Sequence, residues 1–199
     1  MGEFAQNPHL KIVLLGDSGV GKTSVAFRWT TGIWQDSIQP TIGANHQRKV
    51  VHLENQDVDV YVWDTAGQEQ YRALTPLYSR SSSCAIIMAA ANDPSSFDSL
   101  STWQELLFGS QASSERVPPS ILAINKIDLY DEKESFFTRD EIDERYAQKF
   151  ESIMYVSART GEGIDDMFVM AADAAFKFMR QYADKDRVIV EANESRGCC

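Results

Sequence analysis

Gly16-Asp-Ser-Gly-Val-Gly-Lys22-Thr23 fits G-x-x-x-x-G-K-[ST], the spacing of a loop that cradles a phosphate. Its glycines let the backbone wrap an anion without Cβ clashes, so that successive N–H groups point inward. A helix opening at the end of the loop adds the favourable end of its dipole. The motif assigns Lys22 to the β- and γ-phosphates and the Thr23 hydroxyl to Mg²⁺. Ser18 takes the position facing the γ-phosphate, and Gly19, Val20, Gly21 and Ser24 complete the binding segment.

Two further segments carry chemistry. In Trp63-Asp64-Thr65-Ala66-Gly67-Gln68-Glu69, Asp64 ends an alternating apolar run and is the expected acidic partner of the magnesium. Gly67 can bring an amide to a γ-phosphate, and Gln68 can orient an attacking water, which makes it the candidate catalytic residue. In Asn125-Lys126-Ile127-Asp128, the Asp128 carboxylate can accept hydrogen bonds from both donors on the Watson–Crick edge of guanine. Adenine has no matching pair. Asn125 can tie this loop to the phosphate loop, and the stem of Lys126 can cover the base. Ser157-Ala158-Arg159 follows a short apolar run, where a backbone N–H could reach the guanine O6.

These residues need a frame that brings them together. Ile12–Leu15, Cys84–Ala91 and Ile121–Asn125 are apolar runs with almost no polar face, as in a sheet covered on both sides. Residues 45–54 and 58–63 read as two strands joined by Asn55-Gln56-Asp57 in a hairpin, and 153–156 as a short last strand. Helices are expected from Gly21 to Thr30, after Asp93-Pro94, and after the capping box Thr138-Arg-Asp-Glu141. Ile164, Met167, Phe168, Ala171, Ala175, Phe178 and Met179 mark a long last helix, whose pattern dissolves beyond about Tyr182. Alternating strands and helices predict an α/β fold: a six-stranded, mostly parallel sheet flanked by about five helices.

Composition narrows the function further. The 199 residues hold 19 Lys and Arg against 29 Asp and Glu, a net charge of -10. Nucleic-acid binders are usually basic, so no nucleic-acid partner is expected. The eight-residue run Cys84–Ala91 is far short of the about 20 apolar residues a membrane span needs. Of three cysteines, Cys84 lies in that run and Cys198-Cys199 end the chain, which is no disulfide framework.

In combination these motifs resemble those of the Ras superfamily of small GTPases, and most closely its Rab branch, over roughly residues 9–182 and the last two cysteines. The resemblance implies a P-loop small G-domain at 9–182, between a leader at 1–8 and a hypervariable tail at 183–199. It implies a Mg²⁺-dependent GTP/GDP switch in vesicle traffic, with slow hydrolysis. Thr41, in Pro40-Thr-Ile-Gly-Ala44, would ligate Mg²⁺ with Thr23 and Asp64 and sense the γ-phosphate. Trp34 would lie against the guanine, and Asp64 to about Ser79 would form the second switch segment.

Trp63 and Tyr78 match two of three aromatics that meet effectors in the Rab branch. His46 stands at the third, where phenylalanine is usual. Gln70 and Arg159 also depart from the usual arginine and lysine, and Ala-Ala-Ala-Asn92 replaces a strand end that is commonly an aspartate and threonine pair. Thr41-Ile-Gly-Ala44 and Leu74–Arg80 resemble the early-endocytic subgroup. Cys198 and Cys199 would carry two geranylgeranyl groups, two chains being what stable anchoring needs.

The implied partners are GTP-state effectors, an exchange factor, a GTPase-activating protein, a GDP-dissociation inhibitor and the prenylation machinery. A monomer is expected, moving between cytosol and the cytoplasmic face of an endomembrane, endosomal by the subgroup. Two other readings are weighed, and the residues argue against both: Asn125–Asp128 against an ATP-binding enzyme, and the presence of Gln68 and Thr41 against a scaffold that does not hydrolyse GTP. A P-loop ATPase or nucleotide kinase would be separated by an ATP-versus-GTP competition. A guanine-nucleotide scaffold would bind GTP without hydrolysing it.

Overall fold

The structure, a computed structural model, describes residues 7–110, 117–130 and 137–194, with the backbone alone at 110 and 183–194. The strands are β1 (His9–Leu15), β2 (Ala44–Leu53), β3 (Gln56–Thr65), β4 (Cys84–Ala90), β5 (Ser120–Asn125) and β6 (Ser152–Tyr155). The helices are α1 (Lys22–Thr31), α2 (Thr75–Ser79), α3 (Ser95–Asp98), α4 (Leu100–Ser110), α5 (Arg139–Tyr146) and α6 (Ile164–Glu194). Single 3₁₀ segments lie at Glu69–Leu74 and Ile127–Leu129.

The sheet order is β2-β3-β1-β4-β5-β6, with β2 antiparallel to β3 and every other pairing parallel. The hairpin is tighter than expected: Leu53 pairs with Gln56, so Gln56 and Asp57 belong to β3 and only Glu54 and Asn55 turn. Glu54 has a φ of 52°, the left-handed geometry that such two-residue turns call for. α3 and α4 are one expected helix interrupted at Ser99, which leaves five helical units among the described residues. Asp93 opens this unit by accepting from the Ser95 amide at 3.1 Å. Thr138 and Glu141 form the reciprocal cap expected before α5.

The period of two along the strands feeds two cores. Ile12, Leu14, Ile86 and Met88 face α1 and α6, while Val13, Leu15, Ala85 and Ile87 face α3–α4 and α5. Burial on both faces explains why these runs carry no polar residue. All five parallel strands end at the same edge of the sheet, and the three motifs follow β1, β3 and β5 there. β1 is the point where the chain turns from one side of the sheet to the other, the usual place for a ligand crevice.

One expectation is corrected on α6. The helix continues past Tyr182 to Glu194, because 183–194 contains neither Gly nor Pro to stop it. Its buried stripe runs through Ala172, Ala175 and Phe176, while Met179 is exposed, since the helix has outrun the sheet by then. Trp29 of α1 stacks on Phe168 of α6 with ring centroids 4.2 Å apart, both rings buried. Phe168→Ala is expected to destabilise the fold by about 3–5 kcal/mol, measured by urea denaturation.

Candidate functional site

The site begins at the turn from β1 into α1. Gly21 has a φ of 97°, and a Cβ there would lie 2.3 Å from the Asn125 amide nitrogen. Glycine is therefore required twice over, by backbone geometry and by close approach. Lys22 opens α1 and folds back over the loop, donating to the carbonyls of Gly16 at 2.7 Å and Asp17 at 2.8 Å. It is only 5% exposed. Burial lowers its pKa to about 8, against the pull of the Asp64 and Asp17 carboxylates. Val20 takes part through its backbone alone, because its side chain is packed in the core.

Thr23, Thr41 and Asp64 come together from α1, the loop before β2 and the end of β3. The Thr23 and Thr41 hydroxyls are 2.8 Å apart, and Thr41 donates to Asp64 Oδ2 at 3.0 Å. Asp64 is 1% exposed, and its Oδ1 is buried with no hydrogen-bond partner among the described residues. Burial raises its pKa, while the two threonine hydroxyls and Lys22 pull it back. A cavity of about 320 Å³ borders this cluster, with Ser18, Lys22, Thr41, Gly67 and Gln68 on its wall. Gly67 reaches it by pressing on the phosphate loop: a Cβ there would sit 2.4 Å from Lys22 Nζ and 2.5 Å from the Asp17 carbonyl. Gln68 accepts from Gln70 Nε2 at 3.0 Å.

A second cavity, of about 270 Å³, shares Gly19, Gly21, Ser24 and Trp34 with the first. Lys126, Asp128, Ala158 and Arg159 close its far side. Lys126 has a φ of 66°, an unusual backbone for a residue with a side chain. Asn125 Nδ2 donates to the Val20 carbonyl at 2.8 Å, and its Oδ1 accepts from the Ala158 amide at 3.1 Å. That bond alters one expectation. Of the Ser157, Ala158 and Arg159 amides, the first two are engaged, Ser157 with the Glu162 carbonyl, and Arg159 offers its N–H without a partner among the described residues. Sequence reasoning also missed the Ser157 hydroxyl, which donates to Asp128 Oδ1 at 2.6 Å and fixes the carboxylate.

On the outer surface His46, Trp63 and Tyr78 form a row of rings. The centroids of His46 and Trp63 are 5.6 Å apart, and those of Trp63 and Tyr78 6.5 Å. Lys11 Nζ lies 4.5 Å from the Trp63 ring centre. Ile42 (81% exposed), Leu74 and Leu77 are further exposed apolar side chains. Cys198 and Cys199 lie outside the described residues.

A phosphate-type loop, a buried acid at a strand end and a base-sized cavity, set on a doubly covered parallel sheet, define a P-loop nucleotide-binding domain. The Ras family profile matches residues 11–177. The chain is 38% identical to the Ras-related protein Rab-22A of Mus musculus over 164 residues, 80% of each chain. It is 36% identical to Rab-22A of Canis lupus familiaris over 195 residues, which cover 89% of this chain and 96% of the dog protein. Against the Ypt/Rab-type GTPase Rab7 of Neurospora crassa it is 30% identical over 95% of both chains. The chain belongs to the Ras family, within its Rab branch, and is a small GTPase of membrane traffic: a guanine-nucleotide-binding GTP hydrolase.

The Lys22 environment has a measurable consequence. With a pKa of about 8, Lys22 is about half neutral at pH 8 in the nucleotide-free protein. A triphosphate bound against Lys22 would favour the charged ammonium, so binding there would take up protons and weaken as pH rises through 8. Calorimetric titration at pH 8 in buffers of different ionisation enthalpy should show about half a proton taken up, and less at pH 6.5.

Proposed function

We propose that the two joined cavities hold GTP and GDP, with the phosphates against residues 18–24 and the guanine between Trp34, Lys126 and Asp128. The observation that carries this reading is the Asn125 bridge, which brings the N-K-x-D loop and the Ser157–Arg159 loop onto the phosphate loop. Ser157 holds Asp128 so that its carboxylate can face the two guanine donors. The Ala158 amide is spent on Asn125, so the Arg159 amide is the donor for the guanine O6. Trp34 lines both cavities and covers the base side of the shared wall.

The oxygen cluster of Thr23, Thr41 and Asp64 fits Mg²⁺, a hard cation that takes one or two protein oxygens together with phosphate oxygens. The buried Asp64 Oδ1, without a partner among the described residues, is the kind of atom such an ion satisfies. When bound, the ion neutralises charge on the phosphate oxygens. Lys22 adds its own charge there, and Gln68 orients the attacking water through its carboxamide. Arg72, the arginine closest in sequence to Gln68, is committed to Asp17. A GTPase-activating partner is therefore the source of the further positive charge that rapid hydrolysis needs. Loss of the γ-phosphate would release Thr41 and Gly67 and change the surface that effectors read, including His46, Trp63 and Tyr78.

Among the described residues no helix is long and apolar enough to cross a membrane. Membrane attachment is assigned to lipids on Cys198 and Cys199, on the cytoplasmic face of an endosomal compartment, as the Rab-22A resemblance supports. An exchange factor, a GDP-dissociation inhibitor and the prenylation machinery complete the cycle.

Base choice tests the site. GTP should outcompete ATP by about 10⁴ or more, because adenine leaves the Asp128 carboxylate unpaired. Asp128→Asn should weaken GTP and improve binding of xanthine nucleotides in the same competition assay, and equal binding of ATP and GTP by the native chain would refute the assignment. Gln68→Leu tests hydrolysis separately: it should keep GTP affinity and slow single-turnover hydrolysis by about tenfold or more.

A further inference from the structure

Gln68 sits in a short arc of chain, and both ends of that arc rest on one residue of the phosphate loop. At one end Gly67 packs on the Asp17 carbonyl, with no room for a Cβ. At the other end the Arg72 guanidinium donates to Asp17 Oδ1 at 2.8 Å. The same oxygen accepts from the indole N–H of Trp103 at 3.0 Å. Trp103 is fully buried in α4, and the Arg72 guanidinium lies 5.3 Å from its ring centre. Asp17 and Arg72 are largely enclosed, with side chains 20% and 31% exposed, so the pair is better shielded than a surface ion pair. The arc from Gly67 to Arg72 is thereby closed at both ends, and Gln68 is the residue next to one anchor.

We propose that Asp17, Arg72 and Trp103 form a clamp that sets the position of Gln68, which makes Arg72 a positioning residue for GTP hydrolysis. The proposal rests on the reading of Gln68 as the water-orienting group. The clamp commits the arginine to the protein, not to the phosphate. Its charge serves geometry: the guanidinium spans from an acid on the phosphate loop to the face of a buried indole, and lysine cannot make both contacts in one plane. Trp103 ties the arrangement to the core, so the arc does not drift with the rest of the exposed 3₁₀ segment.

The test is single-turnover GTP hydrolysis by the full chain with Mg²⁺, measured beside affinity for a fluorescent GTP analogue. Arg72→Ala should slow hydrolysis at least about fivefold, as expected when a reacting group is misplaced, and leave affinity within about twofold. Arg72→Lys should recover part of the loss. Trp103→Phe, which removes the indole N–H and keeps a buried ring, should slow hydrolysis in the same direction. In a Gln68→Leu background Arg72→Ala should add nothing, because the group it positions is gone. An unchanged or faster rate for Arg72→Ala would overturn the clamp. So would an undiminished effect in the Gln68→Leu background, which would place Arg72 on the phosphate itself. If Arg72→Ala does not fold, Arg72→Lys and Trp103→Phe decide on the same criteria. A Gln68→Leu variant that hydrolyses at the native rate would overturn the reading of Gln68 and the clamp with it. Slow Gln68→Leu with native Arg72→Ala would overturn the clamp alone.

Discussion

The buried carboxamide of Asn125 donates to the Val20 carbonyl and accepts from the Ala158 amide, and these two bonds bring three distant loops to one point. The bonds constrain what surrounds them. Position 21 must be glycine, because any side chain would strike the Asn125 amide nitrogen. β5 must end at Asn125, so that the carboxamide emerges where the parallel strands end and reaches Val20 of the phosphate loop across the end of β4. The Ala158 amide is drawn into the bridge. A polar group this deeply buried is costly unless its donor and acceptor are both satisfied, and here both are. The phosphate loop, the N-K-x-D loop and the Ser157–Arg159 loop are thus tied together through one side chain.

Electrostatics explains how a chain of net charge -10 can receive a highly charged anion. The attraction is local. Ser18, Gly19 and residues 21–24 line the cavity at the N-terminus of α1, where backbone N–H groups and the helix dipole favour an anion, and Lys22 is held there by two carbonyls. Burial makes the Lys22 charge expensive in the free protein, which is the cause of its lowered pKa. Asp64 is pushed the other way by the same burial. Each is buried as a charge that a nucleotide and its metal ion would balance, so the site is arranged for its ligand more than for the stability of the empty domain.

Much of this arrangement was legible in the residues. Phosphate loop, acidic strand end and N-K-x-D loop are local motifs, and each follows an apolar run whose length and lack of polar residues mark a buried strand. The capping box at Thr138 and Glu141 is likewise local and appears as expected. What could not be read depends on contacts between distant residues. Asp17 and Trp103 are 86 positions apart, and nothing in either neighbourhood signals the bond between them. The Ser157 hydroxyl fixing Asp128 spans 29 positions. The continuation of α6 was missed for another reason: loss of an apolar stripe marks the end of burial, and a helix without Gly or Pro can outlast it.

The sheet order leaves β2 and β6 as its two edges, and the edges differ in how they avoid unwanted pairing. β6 is only four residues long and gives a second strand little to grip. β2 is ten residues long, a length that would invite another chain to zip onto its free backbone groups. Yet its long polar side chains are already tied to acids of the same domain: Arg48 lies 2.6 Å from Asp59, Lys49 3.2 Å from Asp165 and His52 2.8 Å from Asp57. A strand added to this edge would have to displace or fit around these ion pairs, and edges that carry charged side chains discourage sheet-to-sheet growth.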